Sequence, residues 1–576
     1  MVAILSRDGL LDESSAAQLL DVLATGQSPD EALRAPVNGS GAGIPEDKLL
    51  RCLACHFDLP YADLDAAAPP KELLSRFPIR LLLQHRLLPL KEEDGVVVVA
   101  TSRIFDTSGL DQLRLATGLE VRPALAPAAE IDRAARRLLG VGADTLQSMG
   151  VNEDDITVIE QSDGDLDLTS ATAAAQDASI IKFVNQVMQE ALELRATDVH
   201  VEPFEKQLRV RYRVDGVLQE ANIPPQVRRY HAAIVSRIKI LSHLDIAEKR
   251  LPQDGRIRLK VSGREIDLRV SVIPMIHGEA VVLRILDRGD ALLGLEHLGM
   301  SKRDRGAWER VIHLPHGILL VTGPTGSGKT TSLYAALSRI NTTDLKIVTI
   351  EDPAEYQLRG INQIQVNTKS GLTFGTGLRS ILRHDPDVIL IGEIRDKETA
   401  DIAVQSSLTG HLVFSTLHTN DAPGAVTRLI DMGIEPYLVA SSLEMVAAQR
   451  LVRLICKQCK EPAPPQDREA MLAEGMTQVP EVVYRGRGCR QCMGSGYKGR
   501  QGVFELMPVT EEIRTLTLAQ SSSGKIREAA VRQGMNSLRE DGWRLVRDGR
   551  TTVEEVMRVT KDETSNVGAE ALGMST

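Results

Sequence analysis

Apolar and polar positions alternate with different periods in different parts of the chain. In residues 207–216, QLRVRYRVDG, every second side chain is apolar: Leu208, Val210, Tyr212 and Val214 share one face, and Arg209, Arg211 and Arg213 the other. A period of two marks a strand with one buried face. The same pattern returns in residues 254–274. There Ile257, Leu259 and Val261 form one apolar face, and Ile266, Leu268 and Val270 another after a Ser262-Gly263 turn. With the amphipathic helical stretch 181–194 ahead of them, these runs predict an α+β domain over about 181–288, its strands basic on the outside. From about His316 the pattern changes. Short continuous apolar runs at 318–321, 347–350, 388–391 and 412–414 alternate with helical stretches. Runs apolar on both faces predict a buried parallel sheet, hence an α/β domain over about 300–562.

The flanks read differently. Residues 1–140 are rich in Leu and Ala, with helical patterns at 14–23 and 45–55 and a strand-like run at 95–100. No Lys or Arg occurs from 138 to 181, a stretch that holds Glu153, Asp154, Asp155, Glu160, Asp163, Asp165 and Asp167. Such a segment buries little, so 141–180 is expected to be an acidic linker. Residues 289–299 read as a hinge, and 563–576, small and polar, as a disordered tail.

Composition narrows the function. The 576 residues are 43% hydrophobic, enough for several cores. Net charge is −10, from 68 basic and 78 acidic side chains, and aromatics are only 3%. Both argue against nucleic acid as a partner. The longest apolar runs are strand-sized, too short for a membrane span, and the start is too short in apolar residues for a secretory signal. The expectation is a cytoplasmic chain that meets a membrane only through partners. Six cysteines form three C-x-x-C pairs, which in a reducing compartment point to metal or redox chemistry.

The strongest chemical signal is GPTGSGKT: Gly323, Pro324, Thr325, Gly326, Ser327, Gly328, Lys329 and Thr330. An apolar strand precedes it and a helical stretch, 331–340, follows, as a phosphate-binding loop requires. The glycines let backbone N–H groups and the helix N-terminus face phosphates. Lys329 supplies charge to the β- and γ-phosphates and Thr330 an oxygen to Mg²⁺. In RHDPDVILIGEIRD, residues 383–396, an apolar strand delivers Glu393 to its C-terminal end, where open α/β sheets bind ligands. A carboxylate there can position or deprotonate water. The structural alternative pairs Glu393 with Arg395 or Arg383. KIVTI followed by EDPAEY brings Glu351, Asp352 and Glu355 to the same edge, with Glu355 a second candidate base and Glu351 and Asp352 equally readable as caps. In GHLVFSTLHT, His411 and His418 bracket a strand, and both are expected near the γ-phosphate.

These four segments resemble the Walker A, Asp box, Walker B and His box of the bacterial secretion ATPases, the motors of type II secretion and type IV pili. Order and spacing agree over about residues 180–560. The resemblance implies a RecA-like P-loop ATPase core, a PAS-like α+β domain before it, a mixed helical N-terminal domain and a zinc-binding insertion. It implies ATP, Mg²⁺ and Zn²⁺ as ligands, and a homo-hexamer at the cytoplasmic face of the inner membrane. It further implies that the hexamer assembles a pseudopilus for protein export. The partners it implies are the cytoplasmic domain of an inner-membrane docking protein and a polytopic platform protein. It also implies arginines sent from the middle domain into a neighbouring site. Arg213, Arg256 and Arg269 stand nearest to those positions, although a solvated strand face accounts for most such arginines. A pilus-assembly motor is the alternative. A nucleic-acid translocase on the same core and a regulatory module with a dead core are less well supported, the latter because Lys329, Thr330 and Glu393 are all present. The paired R-L-G-x-x-L repeats of cyclic-di-GMP-binding relatives are not visible in the N-terminal region. That region, 1–140, is expected to be the docking arm.

Cys456-Lys-Gln-Cys459 and Cys489-Arg-Gln-Cys492 can close a tetrahedral Cys₄ zinc site, two thiolates from each knuckle, leaving no open ligand position. The loop between them, within 456–492, is an excursion. Cys52-Leu-Ala-Cys55-His56 spells a haem-attachment pattern, but LLRCLACHF reads better as a buried helix face with cysteines as small apolar residues.

Overall fold

The structure, a computed structural model, describes residues 2–24, 28–33, 44–64, 69–139, 156–158, 171–261, 264–287, 294–473 and 479–560. It divides into two compact units, Met1–Leu286 and Asp287–Thr576. No described helix is long and apolar enough to cross a membrane. The tail expected at 563–576 lies outside the described residues.

Near its start, after a short helical segment Val2–Arg7, the first unit carries helices α1 (Glu13–Ala24) and α2 (Glu46–His56). Their leucines, Leu19, Leu49, Leu50 and Leu53, share a core with Leu5. Along α2 those leucines and Ala54 fill the inward arc, so the next position round turns outward. Cys55 is therefore exposed and Cys52 half-buried, its thiol donating to Asp8 Oδ2 at 3.0 Å. This corrects the expectation that both cysteines are buried filler. Strands β1 (Leu88–Glu93), β2 (Val96–Thr101) and β3 (Glu120–Leu125) follow, with α3 (Ser108–Thr117) as the crossover between the parallel pair β2–β3. Val97 and Val99 meet Leu113 of α3 on one face, while Ala100 and Leu88 meet Ile131 of α4 (Ala128–Leu139) on the other.

Two parts of the expected acidic linker carry regular structure. β4 (Ile156–Val158) pairs antiparallel with a strand of the middle sheet, and α5 (Ala171–Glu193) starts well before residue 181. Ile156 and Val158 are β-branched residues in an otherwise acidic run, which suits an edge strand. The rest of 141–170 lies outside the described residues. The middle sheet adds β5 (Ala196–Pro203), β6 (Leu208–Val214), β7 (Val217–Glu220), β8 (Gln253–Val261), β9 (Arg264–Met275) and β10 (Gly278–Asp287), in the order β4-β8-β9-β10-β5-β6-β7. The alternation read in β6 is the burial observed: Leu208, Val210, Tyr212 and Val214 are buried against α5 and α6 (His231–Leu241). Ile257 faces Leu268 and Leu259 faces Ile266 across the β8–β9 hairpin.

In the second unit, residues 289–293 of the expected hinge lie outside the described ones. Its far end is fixed rather than free: Leu295 and Leu298 are buried beside Trp308, and the Gly299 carbonyl accepts from Arg544 at 2.8 Å. The sheet consists of β11 (Gly317–Thr322), β12 (Ile347–Glu351), β13 (Asn362–Gln365), β14 (Val388–Ile391), β15 (Leu412–Leu417), β16 (Leu443–Ile455) and, beyond the cysteine excursion, β19 (Tyr497–Pro508). Their order is β13-β12-β14-β15-β11-β16-β19, with only the last pair antiparallel. Alternate residues feed two cores. Leu319, Val321, Leu390 and Phe414 pack with Tyr334 and Leu337 on one face, while Ile318, Leu320, Ile389 and Val413 pack with Ala403 and Val426 on the other. This double burial is why these strands read as continuous apolar runs.

The last helix of the described chain, α17 (Val553–Val559), is tied to β16 through charge. Fully buried Glu555 accepts from Arg453 Nη2 at 2.5 Å and from Arg558 Nε and Nη2 at 2.8 and 2.9 Å. Burial alone would raise its carboxyl, but the two guanidinium forks outweigh it and hold it at about 2. A carboxyl depressed in the fold contributes stability above the ordinary value of 4.5, and the contribution fades as pH falls toward 2. Glu555→Gln is expected to lower the unfolding free energy by on the order of 2 kcal/mol at pH 7. The gap should narrow progressively between pH 5 and about pH 3 in urea titrations. A gap independent of pH would show that the pair does not act through its charge.

Candidate active site and metal centre

The phosphate loop leaves β11 at Thr322 and enters α8 (Lys329–Ile340). Gly323 and Gly328 have φ of 144° and 89°. Space as well as φ requires glycine: a Cβ on Gly323 would stand 2.6 Å from the Gln449 carbonyl, and one on Gly328 2.8 Å from Gln449 Nε2. Gln449, buried on β16, also accepts from Ser332 Oγ of α8 at 2.8 Å. The loop is thus buttressed from the adjacent strand. Ser327 Oγ is buried without a hydrogen-bond partner, a donor available to a phosphate oxygen. Lys329 Nζ folds back on the loop, donating to the Gly323 and Pro324 carbonyls at 2.7 and 3.2 Å. Burial pulls its ammonium down to about 8, against the attraction of Glu393 and with the repulsion of Arg450. Thr330 stands half-buried in the first turn of α8.

Glu393 follows β14 by one glycine, so it sits at the same end of the sheet. Its side chain is 14% exposed. One carboxylate oxygen is held by Arg395, and the other lies 3.3 Å from His418 Nε2. Burial raises the carboxyl, but Arg395 and His418 outweigh it and keep it below the usual range. Of the two structural partners weighed for Glu393, Arg395 is the one present; Arg383 instead donates to the Arg379 carbonyl at 2.8 Å.

The two histidines separate. His418 follows β15 at its C-terminal end, 50% exposed and facing Glu393. His411 precedes the same strand. Its carbonyl accepts from Gly317 N at 3.2 Å, its Nδ1 lies 2.8 Å from the Ser406 carbonyl, and Leu412 is level with Gly317. Six strand residues, about 20 Å, separate it from the loop. The expectation that His411 lies near the γ-phosphate is therefore corrected: β15 runs parallel to β11, so only one of its ends reaches the site.

Glu351, at the end of β12, is buried and accepts from Tyr334 OH, from Thr349 Oγ1 at 2.6 Å and from Gln363 Nε2 at 3.2 Å. It is a buttress, not a solvent-facing acid. Asp352 is exposed, and Glu355 half-buried with its N–H donating to Tyr334 OH at 3.3 Å. Sequence reasoning missed Tyr334, Gln449 and Arg450. Only the last two left a trace, a polar pair inside the apolar run MVAAQRLV.

The arginines singled out in the first unit are differently engaged. Arg209 and Arg211 have carboxylates, Glu220 at 3.6 Å and Glu202 at 2.6 Å. Arg213 donates to the Gly216 carbonyl at 3.0 Å and shares Asp198 with Arg284, at 3.7 and 3.1 Å. Arg256 is exposed and lies directly opposite Arg269 in the β8–β9 register.

Cys456, Cys459, Cys489 and Cys492 converge, their sulfurs all within 4.8 Å of one another. Cys456–Cys489, Cys459–Cys492 and Cys489–Cys492 are each 3.7 Å apart. Four thiolates about 2.3 Å from a central zinc would lie about 3.8 Å apart, so the spacing fits a tetrahedral ion. The N–H groups of Cys489 and Gly496 donate to Cys492 Sγ at 3.1 and 3.2 Å, as thiolate ligands require. A short antiparallel pair, β17 (Lys460–Pro462) with β18 (Tyr484–Gly486), brackets the excursion.

Residues 173–558 match the family described as Type II/IV secretion system protein, and residues 57–144 match the MshEN domain. The chain is similar to Type II secretion system protein E of Pseudomonas aeruginosa, 55% identical over 67% of this chain and 76% of that protein. It is 46% identical to the protein of the same name from Xanthomonas campestris, over 86% of this chain and 87% of that one. The type IV pilus assembly ATPase PilB of Myxococcus xanthus is 42% identical over 89% and 91%. Among solved structures, the pilus retraction motor PilT with bound ADP is 26% identical, with a TM-score of 0.44, over 65% of this chain and 96% of that one.

Proposed function

The chain belongs to the family of Type II/IV secretion system proteins, and from that premise we propose that it is the ATPase that drives type II secretion. The observation that carries the reading is the joint placement of the Lys329 loop, Glu393 and His418 at one end of one sheet. Relatives named for type II secretion support secretion over pilus assembly, since they share the higher identities.

In the working cycle the backbone N–H groups of the loop and the N-terminus of α8 hold the ATP phosphates. Lys329 exchanges the Gly323 and Pro324 carbonyls for the β- and γ-phosphates. Thr330 would hold Mg²⁺, which, when bound, neutralises charge on the phosphates. Glu393, ionised at neutral pH, orients the attacking water, with Glu355 the second candidate. His418 reports the γ-phosphate to Glu393. Arg213 or Arg256 enters the site of a neighbouring subunit of a hexamer. Cys456, Cys459, Cys489 and Cys492 would hold zinc in a structural role, since four thiolates leave no open position for substrate. The chain works in the cytoplasm at the inner-membrane periphery, where residues 1–140 bind the cytoplasmic domain of a docking protein and the hexamer engages a polytopic platform protein.

In a bacterium lacking its own copy, the wild-type chain should restore export of folded proteins, and Lys329→Ala should not. Restoration by Lys329→Ala, or rescue of pilus assembly in place of export, would contradict the reading. Metal analysis should find about one zinc per chain, lost in Cys456→Ser/Cys492→Ser and kept in Cys52→Ser/Cys55→Ser. Unchanged zinc in the first variant would refute the site.

A further inference from the structure

The segment between β15 and α11 (Ala422–Asp431) carries His418 to Glu393, and it is held from three directions. Thr419 N donates to Thr322 Oγ1, at the root of the phosphate loop, at 2.8 Å. Arg450 Nη2 donates to the Asn420 carbonyl at 2.9 Å. The third hold comes from far along the chain. Arg527, on α15 (Ser523–Arg532), forks between two carboxylates: Nη2 donates to Asp421 Oδ2 at 2.5 Å, and Nη1 to Glu505 Oε2 at 3.3 Å. Glu505 is fully buried, and its other oxygen accepts from Ala422 N at 2.7 Å. Asp421 uses its remaining oxygen to cap α11, accepting from Gly424 N at 2.7 Å.

We propose that Arg527 is a positioning residue for hydrolysis, clamping Asp421 and Glu505 so that the loop presents His418 to Glu393. The inference rests on the ATPase reading above. Three features argue for more than a surface ion pair. One carboxylate is fully buried, so removing the cation leaves a charge without solvent. Both carboxylates also bind the backbone of the same turn, so a shift of the guanidinium moves the turn. Finally, His418 lies three residues from Asp421, and its 3.3 Å approach to Glu393 tolerates only a few tenths of an ångström of displacement. The clamp thereby joins the C-terminal helices, and β19, which leads out of the cysteine cluster, to the γ-phosphate end of the site.

The test uses the full chain and five variants: Arg527→Gln, Arg527→Lys, His418→Ala, the Arg527→Gln/His418→Ala double, and Arg532→Gln on the same helix as control. Arg532 pairs with Glu512 at 2.7 Å on the surface, away from the loop. In Arg527→Gln, kcat should fall ~10- to 100-fold, the size of effect a small misplacement has, while KM for ATP and nucleotide affinity stay within about twofold. Arg527→Lys should retain part of the rate. The double variant should be about as slow as the slower single, since both act through one group. Amide exchange in residues 418–426 should quicken in Arg527→Gln, with 317–322 unchanged and Arg532→Gln like wild type. Multiplied losses in the double variant, unchanged exchange at 418–426, or nucleotide binding lost in both Arg527 variants would each overturn the clamp. If the wild-type chain does not hydrolyse ATP, the ATPase reading fails, and the exchange comparison alone decides the clamp.

Discussion

The register of the parallel strands in the second unit is the constraint on which the site depends. β11 lies between β15 and β16, and β14 lies beside β15, with Ile318 level with Val413 and Val413 with Ile389. Parallel neighbours end together, so the loop after Thr322, Glu393 after β14 and His418 after β15 emerge side by side. Neighbouring strands are about 4.8 Å apart, so side chains of ordinary length meet. Burial of both sheet faces fixes these positions within the chain. A charge introduced at Leu320 or Ile389 would disturb the chemistry by unlevelling these ends.

The same constraint explains what the sequence disclosed. The strands were legible because both faces are covered, which makes residues 318–321 and 388–391 continuously apolar. The phosphate loop was legible because its glycines answer to local needs, positive φ and close approach. β6 was legible because one face is wet. His411 could have been placed correctly: a parallel strand has one ligand end, so two residues that bracket it cannot both serve. Gln449 and Arg450 were harder. Their contact with the loop depends on β16 lying next to β11, and strand order is not written in local periodicity. Tyr334 is an aromatic on a helix until the fold sets Glu351 against it. The acidic segment misled in a different way. Its charge pattern hides Ile156 and Val158, which gain enough from an existing sheet edge to add to it.

The antiparallel pair β16–β19 has a second role. It carries Gln449 and Arg450 at the phosphate loop, Glu505 at the His418 loop, and Arg453 at the buried Glu555. At its open end the chain turns through the four cysteines. One hairpin thus spans the nucleotide end and the cluster end of the unit. The ladder stays paired to Ile455 and Tyr497, and a metal there would tie the two cysteine knuckles together just beyond it, a stabilising use of an ion that needs no open coordination position.

The central claim is that Glu393 serves the chemical step while the Lys329 loop serves binding. The direct measurement compares ATP binding and single-turnover hydrolysis in wild type and Glu393→Gln. Glutamine keeps the size and can still accept from Arg395, but cannot orient water as a carboxylate does. The account predicts nucleotide affinity within a few-fold of wild type and hydrolysis slower by roughly 10²–10⁴. Wild-type hydrolysis in Glu393→Gln, or a loss of affinity as large as the loss of rate, would contradict it.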